Sequence, residues 1–515
     1  MKKKVLIAAL AGVAVATSFS LTSCKTTVDG AGEDLKVVSL DELKKEETTI
    51  EFWHSFGDSV SKALNLLLEG DEEEGIQGFD DWCAEQGYKI KVNVTNKGGG
   101  YDGLRKAVNM GAKSKAVPTL LLGYPDHFAD YIANKILLPL DEYVNAEDEN
   151  IALEGGAADF IDTYWKENQM DVNGDGNKNI AGIPFNKSTE IMCYNSNLVD
   201  PILKAKGYGT VDASGNVTWT NPTWEEVLDV SKYIVENKTT LKYTYKGAEY
   251  DISPDMKYPT YIDSESNFFI STSRQWGGEG AYTLEDGTVT AYNSSTREAM
   301  EYFKAAANKG YIELPKAGGT GSYGSSYMQV RKAFISIGST AGVKNNAASL
   351  AYEMKATTAP QKSYEESANQ AVIQQGTNLA ILSANSNNKT RLAAWLLIKF
   401  LTNTKNQTIF STNSGYIPVR KSSQESEEFA ELLAAADPSN FNYAFNGAVA
   451  KGLTAAFEEQ KYFYTDPAFN GSSVVRDEIG VAVEDMFLYN KSYDEAMTAF
   501  YTKMADFGIE TKKTA

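Results

Sequence analysis

Strand and helix patterns alternate along the chain from Thr49 to Leu122, and they constrain the fold more than any other sequence feature. Three apolar segments have the period or continuity of strands, and helical stretches separate them. This order and spacing predict a mainly parallel α/β sheet, whose ligands bind beyond the carboxyl ends of the strands. In chain order, the predicted elements are 50–52, 64–68, 90–94, 101–110 and 120–122.

The rest of the chain continues the α/β pattern. Its 515 residues are too many for one compact core, so we expect two or more lobes. Thr223 and Glu226 form a capping box that predicts the start of a helix. Further predicted elements are helices at 296–308 and 391–401, strands at 334–337 and 371–382, and a helical tail at 474–505 with a break at 490–492.

The N-terminus has the features of an export signal. Three lysines, Lys2 to Lys4, precede a short apolar stretch, and Leu21-Thr22-Ser23-Cys24 resembles a bacterial lipobox. We therefore expect a signal peptide at 1–23, lipid attachment at Cys24, and a polar tether at 24–47. The protein would then lie outside the cytoplasmic membrane and be anchored to it by its acyl chains.

Composition argues against several classes of function. The formal net charge is −19, and a nucleic-acid groove would need clustered Lys and Arg, so we expect no nucleic-acid partner. His54 and His127 are the only histidines, and they lack the spacing of a zinc site. No GxSxG nucleophile elbow is present either. The sequence therefore has few of the residue patterns that are typical of an active site. We expect no cofactor and no metal.

The cysteines Cys83 and Cys193 are expected to be two buried thiols, although export would permit a disulfide bond between them.

Two loop motifs allow more than one interpretation. Asp171 to Gly176 has oxygen-bearing residues at calcium-loop positions 1, 3 and 5, but Gly182 stands where the bidentate Glu belongs. A hairpin turn is therefore favoured over a metal site. Gly319, Gly321 and Gly324 fit a GxGxxG pattern without a preceding strand, so a loop is favoured over a phosphate site.

Aromatic and polar residues follow each of the first three predicted strands. Trp53 follows the first strand, Tyr101 and Asp102 the second, and Tyr124 and Asp126 the third. Aromatic faces suit the apolar faces of sugars and polyols, and carboxylates bind hydroxyl groups. Because the carboxyl ends of parallel strands lie at the same edge of the sheet, the three groups are expected to lie close together. Together they predict a ligand site.

Several segments carry a resemblance to a known family. Over about residues 50–507 the chain resembles the solute-binding proteins of carbohydrate ABC importers, the maltose-binding type, and is most similar to the members that bind glycerol-3-phosphate. The matching segments are Phe52-Trp53-His54-Ser55, Pro184 to Thr189 with Met192 to Asn195, Thr223 to Glu226, Ile337 to Thr340, and Gly415 to Val419.

The resemblance also implies ligand-binding residues. In the family's site, Tyr101 and Tyr416 would flank the ligand, and Arg476 would supply the cation for a phosphate. One departure is that Pro125 stands where the family has a ligand-binding Glu, with Asp126 next to it. With Trp53 and Asp126 from the strand ends, the expected ligand-binding residues are Trp53, Tyr101, Asp126, Ser188, Ser339, Gly376, Tyr416 and Arg476.

The fold implied by the resemblance is an α/β, two-lobe, periplasmic-binding-protein-like fold with a ligand cleft between the lobes. The expected first lobe is 48–188 plus 338–376, and the second is 189–337 plus 377–507. Crossings between the lobes are expected near Lys187, Phe334 and Gln374.

The implied function is that of a monomeric binding protein, not an enzyme, that delivers a polyol phosphate or a sugar to the permease subunits of an ABC importer. The alternative is a secreted, lipid-anchored glycan hydrolase. The inserts around 211–221 and 241–258 have no counterpart in the family and are expected to reshape the cleft mouth.

Overall fold

The computed structural model describes residues 36–318, 323–347, 351–434 and 447–514. The predicted signal peptide, Cys24 and the first part of the tether lie outside these residues, as do Gly319 and Gly321 of the glycine motif.

Strands and helices alternate through most of the described chain. The strands are β1 Thr48–His54, β2 Ile90–Asn96, β3 Leu120–Gly123, β4 Gln169–Met170, β5 Asn179–Ile180, β6 Ile183–Asn195, β7 Thr210–Val211, β8 Val217–Thr218, β9 Lys242–Tyr245, β10 Ala248–Asp251, β11 Thr260–Ile262, β12 Ile312–Glu313, β13 Ile335–Ser339, β14 Met354–Thr358, β15 Val372–Ile381 and β16 Phe463–Tyr464.

The helices are α1 Glu42–Lys45, α2 Asp58–Glu69, α3 Phe79–Gln86, α4 Gly100–Gly111, α5 Pro125–Ala133, α6 Asp141–Val144, α7 Asp162–Lys166, α8 Ser196–Lys206, α9 Trp224–Asn237, α10 Glu265–Gly277, α11 Ser294–Ala307, α12 Pro315–Gly318, α13 Gly324–Gln329, α14 Val343–Asn346, α15 Asn388–Leu401, α16 Thr404–Ser414, α17 Lys421–Gln424, α18 Glu427–Ala434, α19 Ala448–Glu459, α20 Ser472–Phe487 and α21 Tyr493–Asp506. Short 3₁₀ turns lie at Ala112–Ser114, Ala157–Asp159, Thr340–Gly342 and Gln460–Tyr462.

The predicted parallel pairing of the first three strands is confirmed, although the sheet as a whole is mixed. β1 lies between β2 and β3 and pairs with both in parallel, with Phe52 opposite Val94 and Leu120. Its alternating residues Ile50 and Phe52 are fully buried, which is why the period of two was visible in the sequence. The predicted helix start at Thr223 is also confirmed, because Thr223 and Glu226 cap each other's backbone amides at the beginning of α9.

One large sheet extends through both lobes. Its strand order is β12-β11-β13-β6-β15-β3-β1-β2, with β14 also on β6 and β16 also on β15. The first lobe contains β1, β2 and β3. The second contains β11 to β14. Strands β6 and β15 belong to both lobes, and their antiparallel pairing at 374–379 forms the bridge between them.

The middle of β6 is both polar and buried. Asn186, Lys187, Ser188, Thr189 and Glu190 expose at most 6% of their surface. The Lys187 ammonium group pairs with Glu167 and donates to the Gly376 carbonyl at 3.0 Å, and the Thr189 hydroxyl donates to the Ile373 carbonyl at 3.0 Å. Buried polar groups with such partners fix the strand in one register.

The expected division of the C-terminal half between the lobes is wrong. Within 338–376, β14 pairs with residues 191–195 of β6, so this segment lies largely in the second lobe. Residues 378–381 of β15 pair with β3, and α15 and α16 pack on β1 and α2, so the segment from 377 to 434 lies in the first lobe. The expected division came from the family resemblance, which does not tell which neighbours each strand of this chain pairs with.

The predicted crossings near Lys187 and Gln374 coincide with β6 and β15, but the predicted crossing near Phe334 is wrong. Phe334 lies inside the second lobe, where its amide donates to the Pro259 carbonyl at 2.8 Å. The following strand, β13, pairs with β11 and with the second-lobe half of β6. Residues 447–514 return to the second lobe, since α19 packs on β14 and α20 on α10.

Peripheral segments complete the structure. The end of the predicted tether packs on the first lobe through the fully buried Leu43, whose carbonyl accepts from the Lys89 amide at 2.8 Å.

Cys83 and Cys193 are buried free thiols, as the favoured interpretation predicted. The Asp171 loop forms the turn of the β4–β5 hairpin, and backbone amides from Gly174 to Gly176 donate to the Asp171 carboxylate. Every helix in the described ranges is too short or too polar to cross a lipid bilayer.

The two segments expected as inserts form the hairpins β7–β8 and β9–β10. Both pack on α8, at the end of β6 that lies farthest into the second lobe.

We expect the buried ion pair at the bridge to be critical for stability. Lys187→Met leaves the Glu167 carboxylate buried without its cation and should lower the free energy of unfolding by about 3–5 kcal/mol. Adding Glu167→Gln should recover part of the loss. Urea denaturation checks both values. Lys316→Met is the matched control, because Lys316 pairs with carboxylates while half exposed, and it should change stability by less than about 1 kcal/mol.

Candidate functional site

The lobes face each other across a cleft at the carboxyl end of β3. Tyr124, Pro125 and Asp126 follow β3 and begin α5, as the strand-end pattern predicted. Facing them from the second lobe is α20, which carries Arg476. A cavity between these elements also reaches the bridging strand β15 at Gln374. The cleft is therefore lined by both lobes and by the strand that joins them.

An ion pair joins the lobes at the centre of the cleft. Arg476 Nη2 lies 3.4 Å from Asp126 Oδ2, and the guanidinium group lies 5.5 Å from the centre of the Tyr124 ring. Burial alone would raise the pKa of Asp126, but Arg476 and His127 hold it below its ordinary value. Burial likewise opposes the charge on Arg476, yet Asp126 and neighbouring groups raise its pKa. Both side chains therefore stay charged.

Two of the predicted tyrosines meet beside this pair. The hydroxyl groups of Tyr101 and Tyr416 are 3.2 Å apart, and Asn186 Nδ2 donates to the Tyr101 hydroxyl at 3.3 Å. The Tyr101 ring stands perpendicular to the Tyr124 ring, with 5.2 Å between centroids. Tyr101 lines a second cavity, which shares Tyr124, Asp126 and Arg476 with the first.

Gly376 occupies the point where the two bridging strands come closest. Its φ is 101°, and a Cβ atom there would lie 1.9 Å from the Asn186 carbonyl oxygen. Any other residue would force β6 and β15 apart. Gly376 also lines the cleft cavity, so the same close approach that joins the lobes shapes the site.

A polar network closes one side of the cleft. Arg105, in the first lobe, donates to the Ser473 hydroxyl at 2.7 Å and pairs with Asp477 at 3.1 Å, both on α20. Asp130 of α5 accepts from the Gly471 amide at 3.4 Å. The side chains of Asp102 and Asp130 pair with Arg105 from its own lobe. These contacts hold the N-terminus of α20 against α5.

The structure brings some of the predicted site residues together and leaves others elsewhere. Tyr101, Asp126, Gly376 and Arg476 line the two cavities, and Tyr416 contacts Tyr101. Four of the predicted residues, Tyr416 among them, do not line either cavity. Trp53 packs against the first lobe's smaller core cluster under the Lys97 ammonium group, 3.4 Å from its ring centre. Ser188 is buried in β6, and Ser339 caps a 3₁₀ turn by accepting from the Ala341 amide. None of the residues of the two insert hairpins lines either cavity.

The cleft residues that the sequence analysis did not predict include Tyr282, Thr283, Gln374 and Asp466. Asp466 follows β16 by two residues, so it had the same strand-end signal as Asp126. Its strand is two residues long, however, and pairs with β15 only in the folded chain. Gln374 was predicted only as a position where the chain crosses between the lobes. Tyr282 and Thr283 lie in a loop after α10 that has no strand pattern.

The sequence profile of the bacterial extracellular solute-binding proteins matches residues 80–439, more than half of the chain. The chain belongs to this family. No curated protein matches it in sequence. As a member of the family, this solute-binding protein is grouped with binding proteins rather than enzymes, and the cleft between its lobes is the position expected for a captured solute.

Solved structures show the same fold at low sequence identity. UgpB from Mycobacterium tuberculosis, in complex with glycerophosphocholine, is 17% identical with a TM-score of 0.64, over 89% of this chain and 98% of that one. The sugar-binding protein MalE from Xanthomonas citri is 15% identical with a TM-score of 0.63, over 89% and 97%. Lmo0181 from Listeria monocytogenes, an ABC substrate-binding protein in complex with cycloalternan, is 12% identical with a TM-score of 0.66, over 90% and 100%. The two-lobe α/β fold expected for this solute-binding protein is confirmed.

The buried imidazole beside Asp126 makes a testable contribution to stability. Burial lowers the pKa of His127 from 6.5 to about 4, whereas the ring in the unfolded chain titrates at its ordinary value. Between these values the unfolded state binds more protons, so stability falls as the pH is lowered through this window. Between about pH 7 and pH 4 the wild type should lose roughly 3 kcal/mol more than His127→Gln. Urea denaturation at a series of pH values measures the difference, and parallel curves would contradict it.

Proposed function

We propose that this chain is the solute-capturing subunit of an ABC importer and that it binds a sugar or a polyol phosphate between its lobes. The observation that carries the proposal is the cleft cavity, to which each lobe contributes a charged side chain, Asp126 and Arg476. Structures with the same fold are those of an ABC substrate-binding protein with cycloalternan and of proteins with glycerophosphocholine or maltose, which supports this ligand class.

Capture follows from the position of the cleft. A ligand that contacts Tyr124 and Asp126 on one lobe and Arg476 on the other makes its full set of contacts only when the lobes are closed. Differential binding of this kind shifts the population to the closed form. The closed form would then dock on the membrane permease, where opening of the lobes releases the solute. No step of this cycle needs a general base, and we propose that the chain is not an enzyme.

Each ligand class has a feature that favours it. Arg476 favours a phosphate, because a guanidinium group can donate two parallel hydrogen bonds to its oxygens. Tyr124, Tyr282 and Phe469 favour a sugar, because their rings supply apolar surface for its CH faces.

Anchoring to the membrane is part of the proposal. The acyl chains on Cys24 would hold the domain at the outer side of the cytoplasmic membrane, with the described part of the chain beginning 12 residues later at Lys36. Cys24→Ala should release the protein from the membrane fraction into the soluble fraction when the chain is exported. Fractionation and immunoblotting measure this. Retention of the variant in membranes would contradict the assignment of Cys24.

We expect ligands of this class to stabilise the protein without being consumed. A sugar or polyol phosphate at 100 times its dissociation constant should add about 2.7 kcal/mol to the free energy of unfolding. Arg476→Ala should reduce the shift in melting temperature, because Arg476 lines both cavities. Arg297→Ala, which removes an arginine paired with Asp494 on α21, should leave the shift unchanged.

Chromatography of the ligand after incubation completes this test. Unchanged ligand is the expected result. Accumulation of a cleavage product would contradict the proposal and favour a hydrolase.

A further inference from the structure

Arg105 divides its hydrogen bonds between the two lobes. Its side chain is only 7% exposed, and its Nη1 atom lies 3.3 Å from Asp130 of its own lobe and 2.7 Å from the Ser473 hydroxyl of the other lobe. Its Nη2 atom pairs with Asp102 of its own lobe and, at 3.1 Å, with Asp477 of the other lobe. One buried guanidinium group therefore joins α4 and α5 to α20.

The N-terminus of α20 adds to this junction. Asp130 Oδ1 accepts from the Gly471 amide at 3.4 Å, and Asp130 Oδ2 accepts from the Ser473 hydroxyl at 3.4 Å. α20 is 16 residues long, and the partial positive charge at its N-terminus stabilises a carboxylate placed there by the facing lobe. The four residues Arg105, Asp130, Ser473 and Asp477 are called the latch below.

The latch can open without leaving a buried charge unpaired. When α20 moves away, Arg105 keeps Asp102 and Asp130 as partners, because both belong to the first lobe. The Asp477 side chain is already 49% exposed, so water can replace its partner. A buried ion pair that lost its only partner on opening would hold the lobes together too firmly for a reversible movement. This division of partners instead permits both closing and opening.

The latch lies apart from the cavity that contains Gln374 and Asp466. None of its four residues lines that cavity, and three of them, Arg105, Ser473 and Asp477, line the second cavity. The contacts that join the lobes at the latch are therefore made by protein groups alone. They are available whether or not the first cavity holds a solute.

We propose that the latch closes the lobes without a solute, so that a large share of the protein is already closed before capture. This goes beyond the proposed function, because it depends neither on the identity of the solute nor on an importer. The apparent dissociation constant of a solute that binds the closed form is its intrinsic constant divided by the closed fraction. Arg105 and its partners are then positioning residues that tighten binding without touching the solute.

Hydrogen–deuterium exchange of the purified full chain without added solute tests the latch. The reporter is a peptide covering 468–477, because the Gly471 amide donates across the junction and its exchange follows the open fraction. Asp477→Asn weakens a half-exposed ion pair and should raise the exchange rate about threefold. Ser473→Ala removes a hydrogen bond to a buried charge and should raise it about tenfold.

Asp494→Asn is the matched control. The Asp494 side chain is 57% exposed and pairs with Arg297, but both residues belong to the second lobe. This variant should change the exchange rate of the reporter peptide by less than twofold. A control that exchanges as fast as Asp477→Asn would overturn the proposal, and so would a double variant, Ser473→Ala with Asp477→Asn, that exchanges as slowly as the wild type.

Small-angle X-ray scattering of the same samples separates opening of the lobes from local fraying of α20. The double variant should have a larger radius of gyration than the wild type, because its lobes spend more time apart. Faster exchange with an unchanged radius would mean that only the helix end frays, and it overturns the proposal. Since no solute is present, either failure leaves the proposed function intact. Failure of every sugar and polyol phosphate to bind would in turn leave the latch intact.

Discussion

The antiparallel pairing of β6 and β15 is the interaction on which the two-lobe architecture depends. Each strand has one end in each lobe, so the ladder between them fixes how far apart the lobes lie and how they are oriented. The pairing is tight enough that only glycine fits at 376, where a side chain would strike the Asn186 carbonyl. Lys187 then ties the ladder to Glu167 and to the Gly376 carbonyl beneath the cleft.

The polarity of the bridge has a physical reason. A fully apolar crossing strand would leave the floor of the cleft without polar groups. Here the strand carries buried polar side chains with specific partners, and the neighbouring strand presents Gln374 to the cavity. The residues that hold the lobes together are therefore adjacent in sequence to those that line the cavity. Motion of one lobe against the other must change the shape of the site.

The parts of the fold predicted correctly were those with local signals. The alternation of Ile50 and Phe52, the capping box at Thr223 and the break before α21 are patterns of neighbouring residues, and each was confirmed. The assignment of 377–434 to the second lobe failed because it concerned pairing between β15 and β3, which are more than 250 residues apart. The same limit applies to the site. Asp126 follows a strong strand pattern, whereas Asp466 follows a two-residue strand that exists only through its pairing with β15.

The sequence by itself determined the class of this protein. Local periodicity specifies α/β elements, and the order of its motifs indicates a solute-binding fold, because both depend on residues close together in the chain. Only the tertiary structure decided which side chains form the site. It joined Asp126 to Arg476 across 350 residues of sequence and placed Tyr282 and Gln374 beside them, while it buried Ser188 in a strand and turned Trp53 toward a core cluster. Contacts of this kind are set by packing and burial, which are properties of the folded chain and not of any short segment of it.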